Sequence, residues 1–343
     1  MPTIHNVFNL LRCFARFKLG RPTPFYMTYE VTYRCNLRCK FCSVWRNGSK
    51  KELDFGQARR LIDKVAEVGV PVFNLSGGEP LLREDLEDLA LYAQRRGMMT
   101  QLNTNGTLIS RDRARKIAEV FDVVNVSLDG FEKTHDGIRG INGAFKKAVQ
   151  GMKNLIKVKD TCTVGVASVL VKENFAELIP FFHEVKRWGG DFVCVLPVGG
   201  TEFFSNYSVS AKEITDFTEK LLAEKMKDHS FISPWENIIK LMPKFVRGEM
   251  PRICDAGKLY LALDSEGQIS ICPIFSRNDS YKIGSLLDSS LFEILHSKRA
   301  EQVFKLTKNC SCYALCTTAF SLMFRMSLPN LAMETFSYYK LFT

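Results

Sequence analysis

Between Phe25 and about Gly200 the chain alternates strand-like runs with helix-like stretches six times over, and this alternation constrains the fold more than any other feature. The strand-like runs are 25–32, 71–76, 99–103, 122–128, 162–171 and 192–197. The first helical pattern starts after Asp54, an N-cap residue, and sets Ala58, Leu61, Ile62, Val65 and Val68 on one stripe. Others cover about 83–96, 111–120, 143–157 and 174–188. Repeated βα units predict a parallel sheet with right-handed crossovers. Six units rather than eight predict an incomplete barrel, a partial (β/α)6 TIM-like fold of the α/β class; spacing leaves an open doubly wound sheet as the alternative.

The strands carry a second signal. Strands buried on both faces of a parallel sheet read as continuous apolar runs. Here polar residues recur at every second position: Thr28, Glu30 and Thr32; Asn74 and Ser76; Gln101 and Asn103; Asn125 and Ser127. Alternation puts each set on one face. A polar inner wall predicts a cradle for a polar cofactor rather than the Val/Ile/Leu layers that plug a closed barrel. The competing reading is a sealed core whose polar groups bond one another.

With 343 residues, 46% of them hydrophobic, the chain is long enough to bury cores for about two domains. The net charge of +10 fits nucleic acid, an anionic surface, an acidic substrate or simply a basic protein. No RNA-binding module or basic low-complexity arm accompanies it, so nucleic acid is not an expected partner. An odd count of 11 cysteines does not read as a disulfide framework. No apolar run reaches 18 residues and no signal peptide is evident, so the expected location is the cytoplasm.

The run Cys35-Asn36-Leu37-Arg38-Cys39-Lys40-Phe41-Cys42 opens the loop at the C-terminal end of the first strand. In α/β barrels that face carries the chemistry. Three thiolates can hold three corners of a [4Fe–4S] cubane and leave one iron open to an amine and a carboxylate. Structural zinc normally takes four ligands, and this run offers three. C-x3-C-x2-C with an aromatic before the last Cys resembles the signature of the radical S-adenosylmethionine (SAM) superfamily. Ser76-Gly77-Gly78-Glu79-Pro80, Asn103-Thr104-Asn105-Gly106, Val126-Ser127-Leu128-Asp129-Gly130 and Asp136-Gly137-Ile138-Arg139-Gly140 follow in the family's order, at successive strand ends.

The resemblance implies a cluster on Cys35, Cys39 and Cys42, with bound SAM. It implies that the backbone at Phe41 meets the adenine and that Ser76, Gly77, Gly78 and Glu79 hold the methionine end. Ser127 and Arg139 would reach the ribose or carboxylate, and Asn105 would shape its loop rather than bind directly. It also implies reductive cleavage of SAM to a 5′-deoxyadenosyl radical, fed by a low-potential donor such as ferredoxin or flavodoxin.

Residues 206–253 read as a helical connector between the 25–205 core and a cysteine-rich segment, 254–316. There Cys254 and Cys272 flank a hairpin whose turn is Asp264-Ser265-Glu266-Gly267, and Cys310, Cys312 and Cys316 follow. The order is similar to the SPASM or twitch extension of many radical SAM enzymes and implies one auxiliary [4Fe–4S] cluster. A four-cysteine zinc site is the alternative. Cys194, mid-strand between Val193 and Val195, is a candidate hydrogen-atom donor if it faces the lumen; core packing is the plainer reading.

The ends complete the picture. Residues 1–24 carry Arg12, Arg16, Lys18 and Arg21 opposite Val7, Leu10, Leu11, Phe14 and Phe17, and residues 317–343 form an apolar tail. Together they predict peripheral attachment to the inner face of the membrane and a lipid-like or hydrophobic substrate, unless both ends pack on the barrel. The alternatives are a peptide maturase, against which the short stretch before the barrel counts, a haem-pathway enzyme, or an inactive iron–sulfur scaffold.

Overall fold

The computed structural model describes residues 4–47, 51–198, 207–233, 235–307 and 315–326. Helix α1 (Ile4–Lys18) leads into β1 (Tyr26–Thr32), followed by α2 (Phe55–Val68), β2 (Val72–Gly77), α3 (Leu86–Arg95), β3 (Met99–Thr104), α4 (Arg111–Val120) and β4 (Val123–Ser127). Then come α5 (Glu132–Arg139), α6 (Ala144–Val158), β5 (Thr163–Leu170), α7 (Leu178–Arg187) and β6 (Phe192–Pro197). All six anticipated strands form. Asp54 caps α2 in a capping box with Gln57, and Ala58, Leu61, Ile62 and Val65 are the residues it buries.

Two local differences have physical causes. Helix α5 was not anticipated, because Gly137 interrupts its pattern; His135, Ile138 and Arg139 nevertheless share its buried face, and Gly140 ends it in the left-handed region. Helix α7 starts later than expected, because Asn174 bonds the carbonyls of Asp129 and Val169 and holds the preceding residues in turns.

Beyond the six units lie α8 (Ala211–Lys227), the two-residue strand β7 (Ile232–Ser233), α9 (Glu236–Ile239) and α10 (Met242–Val246). The cysteine-rich segment supplies β8 (Tyr260–Leu263), β9 (Gln268–Ser270), β10 (Lys282–Ser285), α11 (Leu291–Leu295) and α12 (Lys298–Thr307), followed by α13 (Leu315–Arg325). The strand order is β10-β9-β8-β1-β2-β3-β4-β5-β6-β7. Strand β8 pairs parallel with β1, Tyr26 opposite Tyr260, and β7 pairs parallel with β6. The six-unit core is thus widened on both sides: by the expected hairpin, now β8 and β9, together with β10 on one side, and by the short β7 on the other. One hydrophobic cluster runs from Phe25 through the barrel to Leu259, Ile269 and Phe324, so the cysteine-rich segment shares the barrel's core.

The described parts of the two ends pack on one another through their phenylalanines, while Leu11 stays exposed. Phe14 and Phe17 pack against Phe324 of α13, and Phe25 meets both Phe320 and Phe324. Lys18 Nζ donates to the carbonyls of Arg325 and Met326 at the end of α13. These Phe side chains, expected to face a membrane, instead cover the N-terminal mouth of the barrel. No described helix is long and apolar enough to cross a membrane.

Candidate active site

The cysteine run lies across the C-terminal mouth of the barrel because its backbone is pinned from two sides. The amides of Arg38 and Lys40 donate to the carbonyls of Arg139 and Ile138 at the end of α5. On the other side, Gly78 N–H donates to Thr32 O and Glu79 N–H to Arg34 O, both at 2.8 Å. A Cβ on Gly77 would stand 2.3 Å from Thr32 O, and one on Gly78 2.1 Å from Arg34 O. The glycines are required here so that two backbones can touch.

Cys35, Cys39 and Cys42 pack with Leu37, Phe41 and Ala144 in a small cluster of their own. The amides of Leu37 and Val44 point at Cys35 Sγ (3.5 Å) and Cys42 Sγ (3.4 Å), and Arg139 Nη1 points at Cys39 Sγ (3.8 Å). Burial pushes the Cys35 thiol up to about 11 and raises Cys39 as well, the latter against the pull of Arg139. The charge of bound iron would convert both to thiolates.

Glu79 is fully buried. Its carboxylate accepts from Thr104 Oγ1 (2.6 Å), Asn105 N–H (2.7 Å) and Leu81 N–H (3.1 Å). It ties the ends of β2 and β3 together, so a ligand beside this motif meets backbone rather than the carboxylate. Asn105 donates to Asn36 Oδ1 and accepts from the amide and hydroxyl of Thr107, which ties its loop to the cysteine run. Arg139 is held by several partners at once. Its Nε donates to Asp129 Oδ2 at 2.5 Å, its Nη1 faces Cys39, and its guanidinium lies 5.5 Å from the centre of the Phe41 ring. Arg139 is buried beneath the cysteine run and is not part of the lumen wall. Asp129 draws it there, since a carboxylate without exposed surface needs a charged partner. Asp129 N–H also donates to His135 Nδ1, and burial pulls that imidazole down to about 4, which keeps it neutral.

Below the cysteine run the barrel holds an open cavity of about 420 Å³. Its wall includes Thr28, Glu30, Asn74, Ser76, Gln101, Asn103, Asn125 and Ser127, the polar set read from alternation. Thr32 leaves the set: the register shifts between Glu30 and Thr32, and the Thr32 hydroxyl donates to Glu52. Cys194 lines the cavity in register with Ala167, and Ala167 is in register with Ser127.

The radical SAM family model matches residues 29–185, and the SPASM model, an iron–sulfur cluster-binding domain, matches residues 254–318. The chain belongs to the radical SAM superfamily. This radical SAM enzyme is 31% identical over 255 residues to the Fe-coproporphyrin III synthase of Methanosarcina barkeri, a match covering 73% of the chain and 61% of that protein. It is 28% identical over 291 residues to the mycofactocin maturase MftC of Mycobacterium tuberculosis, covering 82% of the chain and 72% of that protein. Streptococcus suis SuiB bound to its precursor peptide SuiA shares the fold, with a TM-score of 0.70 at 15% identity over 94% of this chain and 78% of that one.

Membership brings a [4Fe–4S] cluster and SAM, and the SPASM match brings auxiliary iron–sulfur binding. The residues fit the first group: three thiols share one cradle, and N–H groups are aimed at all three sulfurs. No group of three His, Cys, Asp or Glu among the described residues is gathered as for a single metal ion. For the auxiliary site, Cys272 is buried at the base of β9, and Cys254 is half-buried. Asp255 ties the latter to α13 through Ser321 and Arg325. Cys310 and Cys312 lie outside the described residues, as does the side chain of Cys316.

Sequence reasoning singled out neither Asp129 nor Arg277 as a site residue. Asp129 stands inside a quoted motif, so a signal existed. Arg277 had none: its Nη1 donates to Ser43 Oγ at 2.8 Å across 234 residues of chain.

Proposed function

We propose that this enzyme acts on a peptide, abstracting hydrogen from one of its side chains inside the barrel. Held at the mouth by Cys35, Cys39 and Cys42, the cluster with SAM would supply one-electron radical chemistry there. The chain's own residues would hold that chemistry above the lumen and orient the substrate within it.

The composition of the lumen wall carries the reading. Four carboxamides, several hydroxyls and one carboxylate line it beside apolar residues such as Val123, Phe192, Leu196 and Phe320, and no Lys, Arg or His does so among the described residues. A tetrapyrrole bearing several carboxylates calls for cationic partners, whereas a peptide side chain fits amides and hydroxyls. The likeness to the maturase over 82% of the chain agrees. A hydrophobic substrate has lost its main support, because the described aromatic side chains of the two ends cover one another. A haem-pathway reaction is the second reading, favoured by the 31% identity to the coproporphyrin synthase. The auxiliary cluster in this reading is a single one, on four of Cys254, Cys272, Cys310, Cys312 and Cys316. Cys194, which lines the cavity, would return a hydrogen atom to a substrate radical, and the resulting thiyl radical would be restored by one electron from the external reductant and a proton.

The test is anaerobic incubation of reconstituted enzyme with SAM and a one-electron reductant, with either pooled short peptides or iron coproporphyrin III. Peptide pools should raise 5′-deoxyadenosine above the substrate-free level. Stimulation by the porphyrin alone would sink the peptide reading.

A further inference from the structure

The polar wall of the lumen is mostly satisfied from within. Tyr26 OH donates to Gln101 Oε1 (2.6 Å), Asn125 Nδ2 to Asn103 Oδ1 (2.9 Å), and Asn74 Nδ2 to Thr28 Oγ1 (3.1 Å). Thr28 Oγ1 is also 2.5 Å from Tyr260 OH. Among the buried side-chain atoms of the described wall, one is left over. Asn74 Oδ1 is buried and has no hydrogen-bond partner, although Asn74 is only 2% exposed and lines the cavity. A buried acceptor without a donor costs about 1–3 kcal/mol, and in native proteins such an atom calls for a missing partner.

Glu30 stands beside it. Thr28 is in register with Asn74 and Glu30 with Ser76, so Glu30 and Asn74 are diagonal neighbours on the lumen faces of β1 and β2. Glu30 is 6% exposed; Tyr33 OH donates to its Oε2 at 2.7 Å, and Ser276 also bonds it. Burial raises its carboxyl above the usual carboxylate range, against the pull of Arg277. It is the one carboxylate of the wall, and no cationic side chain lines the cavity with it among the described residues.

We propose that Glu30 and Asn74 form a built subsite for an N–H donor of the substrate, selecting a side chain that ends in an ammonium, a guanidinium or a carboxamide. A donor hydrogen completes Asn74 Oδ1. A second hydrogen, or a positive charge, falls to Glu30 and offsets the burial of its charged form. The subsite rests on the peptide reading only for the naming of its ligand as a side chain. It excludes carboxylate-bearing groups, which would bring an acceptor against an acceptor.

The reconstituted holoenzyme, with S-adenosylhomocysteine in place of SAM, is titrated calorimetrically with the N-acetyl amides of lysine, glutamine, leucine and glutamate. The lysine and glutamine probes should bind at least tenfold more tightly than the leucine and glutamate probes. Glu30→Gln should lower the lysine probe's affinity about tenfold and leave the glutamine probe nearly unchanged. Asn74→Leu should erase the advantage of both, and Asn74→Asp, which keeps an acceptor at the site, should restore it for lysine. SAM affinity should stay within twofold in every variant. Equal binding of the four probes, or no binding of any, overturns the subsite. So does a tenfold loss of SAM affinity in Asn74→Leu with unchanged probe ranking, because the pair would then serve the cofactor. Porphyrin turnover would remove the peptide reading and leave the probe ranking to be judged separately.

Discussion

Arg277, five residues after Cys272, donates from Nη1 to Oγ of Ser43, the residue next to Cys42, at 2.8 Å. Its guanidinium also lies 5.8 Å from the centre of the Tyr33 ring. One side chain therefore joins the auxiliary segment to the end of the SAM-cluster loop. Cluster potentials depend on nearby charge and on the hydrogen bonds around the ligands. Removing this cation should disfavour the more negative, reduced cluster. Arg277→Gln is expected to lower the midpoint potential of the SAM cluster by on the order of tens of millivolts. Redox titration followed by electron paramagnetic resonance reads this directly, and an unchanged potential and line shape would count against the contact.

Arg139 and Asp129 form a buried ion pair whose cation also faces the Cys39 sulfur. Breaking such a pair from one side strands a charge, at a cost of about 3–5 kcal/mol. Arg139→Met should lower the melting temperature markedly and reduce iron incorporation, whereas Asp129→Asn with Arg139→Met should recover part of the stability. A double mutant no more stable than Arg139→Met would show that the pair is not what matters.

Gly78 sits where an added Cβ would meet backbone, not a movable side chain. Gly78→Ala should push the motif away from Arg34 and misplace the cysteine run, with overpacking costing about 1–3 kcal/mol. The fold should survive, as judged by circular dichroism, while SAM affinity falls roughly tenfold, equivalent to about 1.4 kcal/mol. Wild-type affinity in this variant would mean that the loop adapts freely.

His135 is held neutral, its folded pKa drawn down to about 4 from an ordinary 6.5. The stability that follows is fully present above the unfolded value and is lost as pH falls through the folded one. The wild-type melting temperature should therefore drop more steeply between pH 6.5 and 4 than that of His135→Asn. Parallel curves over that window would show that the imidazole does not carry the effect.

Much of the site was legible because its signals are local. The spacing of Cys35, Cys39 and Cys42 is written in eight consecutive residues, and the order of the glycine-bearing motifs follows the strands that end in them. The period-2 pattern named eight residues of the lumen wall correctly, because a strand must turn alternate side chains to opposite faces. It failed at Thr32, where a register shift beyond Glu30 breaks the period.

The amino-acid sequence by itself determined the six βα units, the cluster loop and the polar lumen, since each depends on residues close together in the chain. Tertiary structure alone decided where the longer-range partners fall. It laid β8 beside β1, turned the aromatic side chains of α1 and α13 onto each other, and brought Arg139 to Cys39 and Arg277 to Ser43. An apolar helix face or a guanidinium specifies only that it will find a partner of suitable chemistry. Which partner it finds depends on distances that exist only once the barrel has closed around its core.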